Sequence, residues 1–115
     1  MSRPTRPIHW VKAALKDFDG FPDTVKLEAL RALTIAAEGA KADTAKPLTG
    51  LGAGVWELAI KSRGDAWRVV YAVQIEDAIW VVHAFQKKSK TGIKTPQREI
   101  DLVRERLKRL KEALR

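Results

Sequence analysis

The segment AFQKKSK, residues 84–90, contains three lysines within four positions. It joins the apolar stretch AIWVVHAF to the basic stretch KKSKTGIK, although strands usually end in turn residues. A cluster of cations at the end of a strand can bind phosphate or another anion. The ordinary alternative is a solvated loop, because runs of charge are most often simply exposed to water.

Cleavage of RNA by its own 2′-hydroxyl is a reaction that cationic side chains can catalyse without a metal. Attack of that hydroxyl on the neighbouring phosphate needs a base, an acid and cations that stabilise the added charge of the transition state. A lysine crowded by other cations has a lowered pKa and can transfer a proton. The cations that three strand regions could bring together are Lys61, Arg63, Arg68, Lys87 and Lys88.

Arg68 is the most informative of these cations, because it lies in the middle of a strand between Trp67 and Val69. A charge there is costly unless it is paired or functional. It is either directed at a phosphate or paired with Glu57 on the neighbouring strand, since opposite charges on adjacent strands commonly interact. His83, near the end of an apolar strand, is a candidate acid or base, although such a histidine is more often a half-buried structural residue.

The composition excludes several other kinds of site. Cysteine is absent and only two histidines occur, so we expect no disulfide, thiolate nucleophile, metal site or cofactor. The glycine-rich stretch GLGAG is not followed by Lys-Ser or Lys-Thr, which argues against a phosphate-binding loop. No apolar run reaches the roughly 18 residues of a membrane span, and no signal peptide is recognisable. We therefore expect a cytoplasmic protein without membrane contact.

The net charge of +8 is concentrated near the C-terminus. Residues 1–85 carry 11 Lys/Arg and 10 Asp/Glu, whereas residues 86–115 carry 11 Lys/Arg and 4 Asp/Glu, so the two parts have net charges of +1 and +7. A basic region of this kind favours phosphate polymers, acidic proteins or anionic surfaces as partners.

The apolar periodicity predicts a single α+β domain over residues 1–115 with the order β-α-α-β-β-β-α and helices against one face of the sheet. PIHWV is a short strand and VKAALKDF is a helix. A second helix presents Leu27, Leu30, Leu33 and Ala37 on one face, which we expect to be buried. The segment AKADTAKPLTGLGAG is predicted to be a loop.

Three strands and a helix complete the predicted fold. VWELAIK, AWRVVYAV and IWVVHAF form an antiparallel meander joined by short turns. Strict alternation along the last strand places Trp80 on the face opposite to His83 and Phe85. The last helix begins at TPQREI, with Thr95 as its N-cap and Pro96 as its first residue.

Longer stretches of the chain resemble one family of known proteins. GVWELAIKSRGDAWRVVYAV, VVHAFQKKSKTGIKTP and REIDLVRERL resemble the RelE/HigB superfamily of toxins from bacterial type II toxin–antitoxin pairs, in particular the phage-derived, HigB-like branch. The resemblance lies mainly between residues 54 and 107. It implies a compact RelE/ParE-like domain with an antiparallel sheet, two N-terminal helices and a C-terminal helix.

The resemblance also implies an activity and partners. It implies an endoribonuclease, or mRNA interferase, that cuts mRNA without a metal, generally in the ribosomal A site. A cognate antitoxin, often a helix-turn-helix DNA-binding protein, neutralises the toxin and represses the operon as a complex. We therefore expect contact with mRNA on the ribosome and with an antitoxin, and with operator DNA only through the antitoxin complex.

The catalytic candidates are Arg68 and Lys88, which the resemblance places near the scissile phosphate, together with Lys87 of the same F-x-K-K motif and His83. The candidates for the general base are Lys61, Lys87 and His83. The residues expected to hold RNA are Lys61, Arg63, Phe85 and Lys90.

The chain departs from the family at one pair of positions. Some members have two lysines in the strand that corresponds to WELAIK, where this chain has Glu57 and Ala59. Two other functions agree with the same features. One is a ParE-like inhibitor of DNA gyrase, which shares the fold and needs no catalytic residue, and the other is a non-catalytic basic module that binds nucleic acid. The lysines after the last strand favour RNA cleavage.

Overall fold

The computed structural model describes residues 5–88 and 94–115 and has the predicted α+β fold. Its elements are β1 (Ile8–Trp10), α1 (Lys12–Asp19), α2 (Asp23–Ala37), β2 (Ala45–Pro47), β3 (Val55–Ser62), β4 (Asp65–Ile75), β5 (Ala78–Lys87) and α3 (Gln97–Ala113). Seven of these eight elements follow the predicted order; β2 was missed, because its three residues lie in the segment predicted to be a loop.

The strands form one sheet in the order β1-β5-β4-β3-β2. Strands β2 to β5 are antiparallel neighbours, so the predicted meander of β3, β4 and β5 is confirmed. The sheet as a whole is mixed, because β1 pairs parallel to β5. The turn between β3 and β4 has positive φ at Arg63 and Gly64, as the tight turns of twisted hairpins require.

The helices cover both faces of the sheet rather than one. Leu58 and Ile60 of β3 and Val69 and Tyr71 of β4 belong to a core that includes buried residues of α1 and α2. The residues on the other face of β4 belong to a second core, which is covered by α3; the members of this core include Val70, Ala72, Val103 and Leu107. The expectation of helices on one face is therefore wrong, because both faces of β4 are apolar enough to need a cover.

The buried face of α2 differs from the predicted one. Leu33 and Ala37 are buried as expected, but Leu27 is 52% exposed and Leu30 is 42% exposed. The residues that face the sheet are instead Val25, Ala29, Ala32, Leu33, Ala36 and Ala37. Small alanines let the helix axis lie close to the sheet, so the buried stripe follows shape rather than the largest apolar side chains.

An irregularity in β5 redirects the side chains of its second half. Val70 pairs with His83 and Tyr71 pairs with Val81, so Val82 is an extra residue on β5. Such a β-bulge interrupts the alternation of faces. As a result Trp80 and Phe85 pack in the same core, on the α3 side of the sheet, and the prediction that they face opposite sides is wrong.

Candidate active site

The predicted cations meet on the α3 side of the sheet, where β3, β4 and β5 lie next to each other. Lys61 pairs with Ala66, which in turn pairs with Lys87, so these residues form one row across three strands. The neighbouring row contains Ala59, Arg68 and Phe85 in the same arrangement. With strands about 4.8 Å apart, the backbones of Lys61 and Lys87 are separated by roughly 10 Å. The small side chain of Ala66 leaves space between the two lysines.

Arg68 forms a buried ion pair with Glu57, which lies one row further along β3. Arg68 Nη1 is 2.7 Å from Glu57 Oε1, and each of the two side chains is only 8% exposed. The alternative interpretation of Arg68, a cross-strand pair with Glu57, is therefore realised. A pair at this depth fixes the guanidinium in one position, because either charge alone would be left in a poorly solvated environment.

Thr95 holds the second oxygen of the same carboxylate. Its hydroxyl donates a hydrogen bond of 2.6 Å to Glu57 Oε2, which connects the segment before α3 to β3. Thr95 is not the N-cap of α3, contrary to the prediction: the helix begins at Gln97, and the preceding Pro96 makes no side-chain capping bond. The hydroxyl that could have capped the helix is bonded to Glu57 instead.

Lys87 is a buried lysine with a perturbed pKa. Burial lowers the pKa of Lys87, the charges of Arg68 and Lys61 lower it further, and Glu57 acts in the opposite direction. A lysine in this environment gives up its proton more readily than an exposed one, which suits it to proton transfer. The crowding inferred from the sequence thus exists, although burial is the larger cause of the shift.

His83 lies on the same side of the sheet but is held by α3. Arg106 Nη1 donates a hydrogen bond of 3.0 Å to His83 Nδ1 and another of 3.0 Å to the carbonyl of Val82. Because arginine can only donate, His83 Nδ1 must be unprotonated, so Nε2–H donates to Glu99 Oε1 at 3.3 Å. The imidazole also stacks on Phe85, with ring centroids 4.9 Å apart.

The charged neighbours of His83 act on its pKa in both directions. Burial lowers the pKa of His83 and is the largest influence; Glu99 raises it, Arg106 lowers it and Asp17 of α1 raises it. The net effect is a lowered pKa, which keeps the imidazole neutral. These contacts favour a structural role for His83, which connects β5 to α3, over a role in proton transfer.

The remaining candidates lie around this cluster. Lys61, Arg63 and Lys88 are exposed, at the end of β3, in the following turn and after β5, respectively. Phe85 lies between Arg68 and His83 and is 9% exposed. Lys90 lies outside the described residues. Within the described ranges, no group of three or more His, Asp or Glu is placed to hold a metal ion.

Three residues of this region were missed from the sequence. Thr95 contacts Glu57 across 38 positions of the chain, a separation for which no local pattern exists. Glu99 and Arg106 carried a usable signal. They lie seven positions apart, with the buried Val103 between them, so they share the face of α3 that is directed at the sheet.

Two solved structures of the E. coli toxin RelE share this fold. A mutant in which two arginines are replaced by alanine, in its free state, matches with a TM-score of 0.63 at 18% identity, over 95% of this chain and 98% of that chain. The isolated toxin matches with a TM-score of 0.56 at 21% identity, over 91% and 98% of the two chains. No curated protein sequence matches this chain.

The chain therefore has the fold of these RelE structures, as the sequence resemblance predicted. The phage-derived Gp49-like family matches residues 16–108. The chain belongs to that family. Among the described helices, none combines the length and the apolar character that crossing a bilayer requires.

Proposed function

We propose that the chain is the toxin of a type II toxin–antitoxin pair and cuts mRNA on the ribosome, in the cytoplasm, without a metal. The observation that carries this proposal is the arrangement of Arg68, Lys87 and Lys61 on one face of the sheet. The family and the fold agree with a toxin. The proposed partners are mRNA in the ribosomal A site and a cognate antitoxin, which binds operator DNA as the complex.

RNA contacts the exposed cations first. Lys61 and Arg63 are exposed beside the cluster and hold the phosphates on either side of the scissile bond. Arg68 acts from its fixed position in the ion pair. Its planar guanidinium presents N–H donors in a fixed fork, a geometry that suits the oxygens of a phosphate. A charge held this rigidly needs little reorganisation when negative charge develops on the phosphate.

The proposed reaction is an attack of the 2′-oxygen on the adjacent phosphorus. The 2′-hydroxyl gives its proton to a base, and the new O–P bond displaces the 5′-oxygen, which takes a proton from an acid. The products are a 2′,3′-cyclic phosphate and a 5′-hydroxyl. Lys87 is the first candidate for one of these transfers, because its lowered pKa reduces the cost of losing a proton. Arg68 and Lys88 stabilise the charge on the pentacovalent phosphorus.

Expression from a tightly controlled promoter, followed by primer extension on cellular mRNA, tests the proposal. We expect growth arrest and new 5′ ends within translated frames. Lys87→Met keeps the length of the side chain but removes the titrating amine, and we expect it to reduce cleavage by about 100-fold or more. Lys41→Met removes one positive charge from an exposed loop and is the matched control, with cleavage unchanged.

Different results would point to different functions. Arrest with intact mRNA would contradict RNA cleavage and favour a ParE-like gyrase inhibitor. Equal losses of cleavage in Lys87→Met and Lys41→Met would indicate that total charge matters rather than position, as expected of a non-catalytic basic module.

A further inference from the structure

The row that contains Lys61, Ala66 and Lys87 has a gap between its two lysines. The side chain of Ala66 is small, and the Arg68 side chain lies on the same face of the sheet in the next row. Lys61 is exposed, Ala66 is half-buried and Lys87 is 6% exposed, so the gap opens to solvent on the side of Lys61. The positive charges beside this opening favour the entry of a small anion.

The charges around the gap act both on the amine of Lys87 and on an entering anion. Burial lowers the pKa of Lys87, and Arg68 and Lys61 lower it further. Glu57 acts in the opposite direction, but its carboxylate is paired with Arg68. A lysine that is desolvated and surrounded by cations is activated as a nucleophile, because more of its amine is uncharged at neutral pH. The gap thus combines a nucleophile with cations that attract phosphate.

We propose that Lys87 is a site of acylation by small acyl phosphates and that this modification inhibits RNA cleavage. The uncharged amine attacks the carbonyl carbon of the acyl phosphate, and a C–N bond forms. The bond from that carbon to the phosphate oxygen breaks, and the amine nitrogen gives one proton to the departing phosphate. The products are an acylated lysine and inorganic phosphate, and no atom is oxidised or reduced.

Acylation would act directly on the proposed reaction. It removes the positive charge of the lysine and converts the basic nitrogen into an amide. An acylated Lys87 can neither accept nor donate the proton that RNA cleavage requires. The inhibition therefore rests on the proposed function, whereas the modification itself does not depend on it.

Acetyl phosphate serves as the probe of the modification. The purified full chain is incubated with it at neutral pH, and the acetylated positions are quantified over time by peptide mass spectrometry. We expect Lys87 to be acetylated at least about fivefold faster than Lys41, although Lys41 is exposed in a loop and is easier to reach. An equal or slower rate at Lys87 would overturn the proposal.

A matched pair of variants tests whether the cations beside the gap direct the reaction. Lys61→Met removes one of these cations, and Lys111→Met removes one from the exposed side of α3. We expect only Lys61→Met to slow the acetylation of Lys87, by about fivefold or more, because it removes both a phosphate-binding charge and one cause of the lowered pKa. Both lysines are exposed, so neither variant should disturb the fold. Equal rates in the two variants would contradict the proposal.

Site-specific incorporation of acetyl-lysine tests the inhibition. One chain carries acetyl-lysine at position 87 and its control carries it at position 41, and both are assayed with mRNA on purified ribosomes. We expect cleavage to fall by about 100-fold or more in the first chain and to stay unchanged in the control. Full cleavage by the first chain would overturn the inhibition. If the unmodified chain does not cleave mRNA, the proposed function fails, and the acetylation rates still decide whether Lys87 is the modified site.

Discussion

Arg68→Ala is expected to abolish RNA cleavage and also to lower the free energy of unfolding by about 3–5 kcal/mol. The second effect arises because the variant removes the arginine that is paired with Glu57, while the Glu57 side chain stays buried, with an exposed fraction of 8%. A loss of growth arrest in this variant alone would therefore not separate a catalytic defect from a folding defect. Urea unfolding measures the stability, and primer extension measures the cleavage.

A double variant separates the two effects. Arg68→Met with Glu57→Leu replaces both charges by apolar side chains of similar size, a change that is often neutral or stabilising for a buried pair. We expect it to recover most of the stability lost in Arg68→Ala but none of the cleavage. Cleavage by a stable double variant would show that the guanidinium is not needed for the reaction.

Arg104→Ala is the matched control for stability. Arg104 also pairs with a carboxylate, that of Asp101, at 3.0 Å, but the two side chains are 53% and 58% exposed. Exposed pairs of this kind contribute about 0–1 kcal/mol. A loss of stability in Arg104→Ala as large as that in Arg68→Ala would contradict the argument that burial gives the Glu57 pair its importance.

Much of this cluster could be predicted because it depends on alternation along two strands. The period of two placed Glu57, Ala59 and Lys61 on one face of β3, and Arg68 on the matching face of β4. The Glu57–Arg68 pair was foreseen as an alternative for the same reason, since opposite charges that are diagonal on adjacent strands are within reach of each other.

The features that were missed depend on backbone irregularity or on long-range contacts. Val82, the extra residue of β5, lies in the mostly apolar stretch AIWVVHAF, which has no regular alternation of apolar and polar residues that would reveal a bulge. The parallel pairing of β1 with β5 joins residues about 70 positions apart, which no local pattern encodes. On α2 the prediction that all the leucines of one face are buried was wrong, because small alanines allow the helix to pack closely against the sheet.

The second large effect is expected at His83, which connects β5 to α3. His83→Ala removes the acceptor for Arg106, the donor to Glu99 and the ring that stacks on Phe85. We expect the free energy of unfolding to fall by about 2–4 kcal/mol at pH 7.5. His9→Ala is the matched control, because His9 is exposed, and its effect should stay within about 0.5 kcal/mol.

The pH dependence gives this prediction a signature that a mere packing defect lacks. The folded state lowers the pKa of His83, so below about pH 6.5, the ordinary pKa of histidine, the unfolded chain binds a proton that the folded chain resists. The contribution of the neutral imidazole to the free energy of unfolding is therefore fully present above that pH, and it declines as the pH falls towards the lowered pKa of His83. Urea unfolding at a series of pH values should show the difference between the wild type and His83→Ala shrinking from pH 7.5 to pH 5.5.

The same variant distinguishes a structural role for His83 from a role as catalytic acid or base. Under conditions in which His83→Ala is folded, we expect cleavage within about threefold of the wild type, because His83 positions α3 and does not contact the RNA. A loss of about 100-fold or more in the folded variant, with unchanged stability, would make His83 a proton-transfer residue. That outcome would require the imidazole to leave Arg106 and Glu99 during the reaction, and α3 would then move with each turnover.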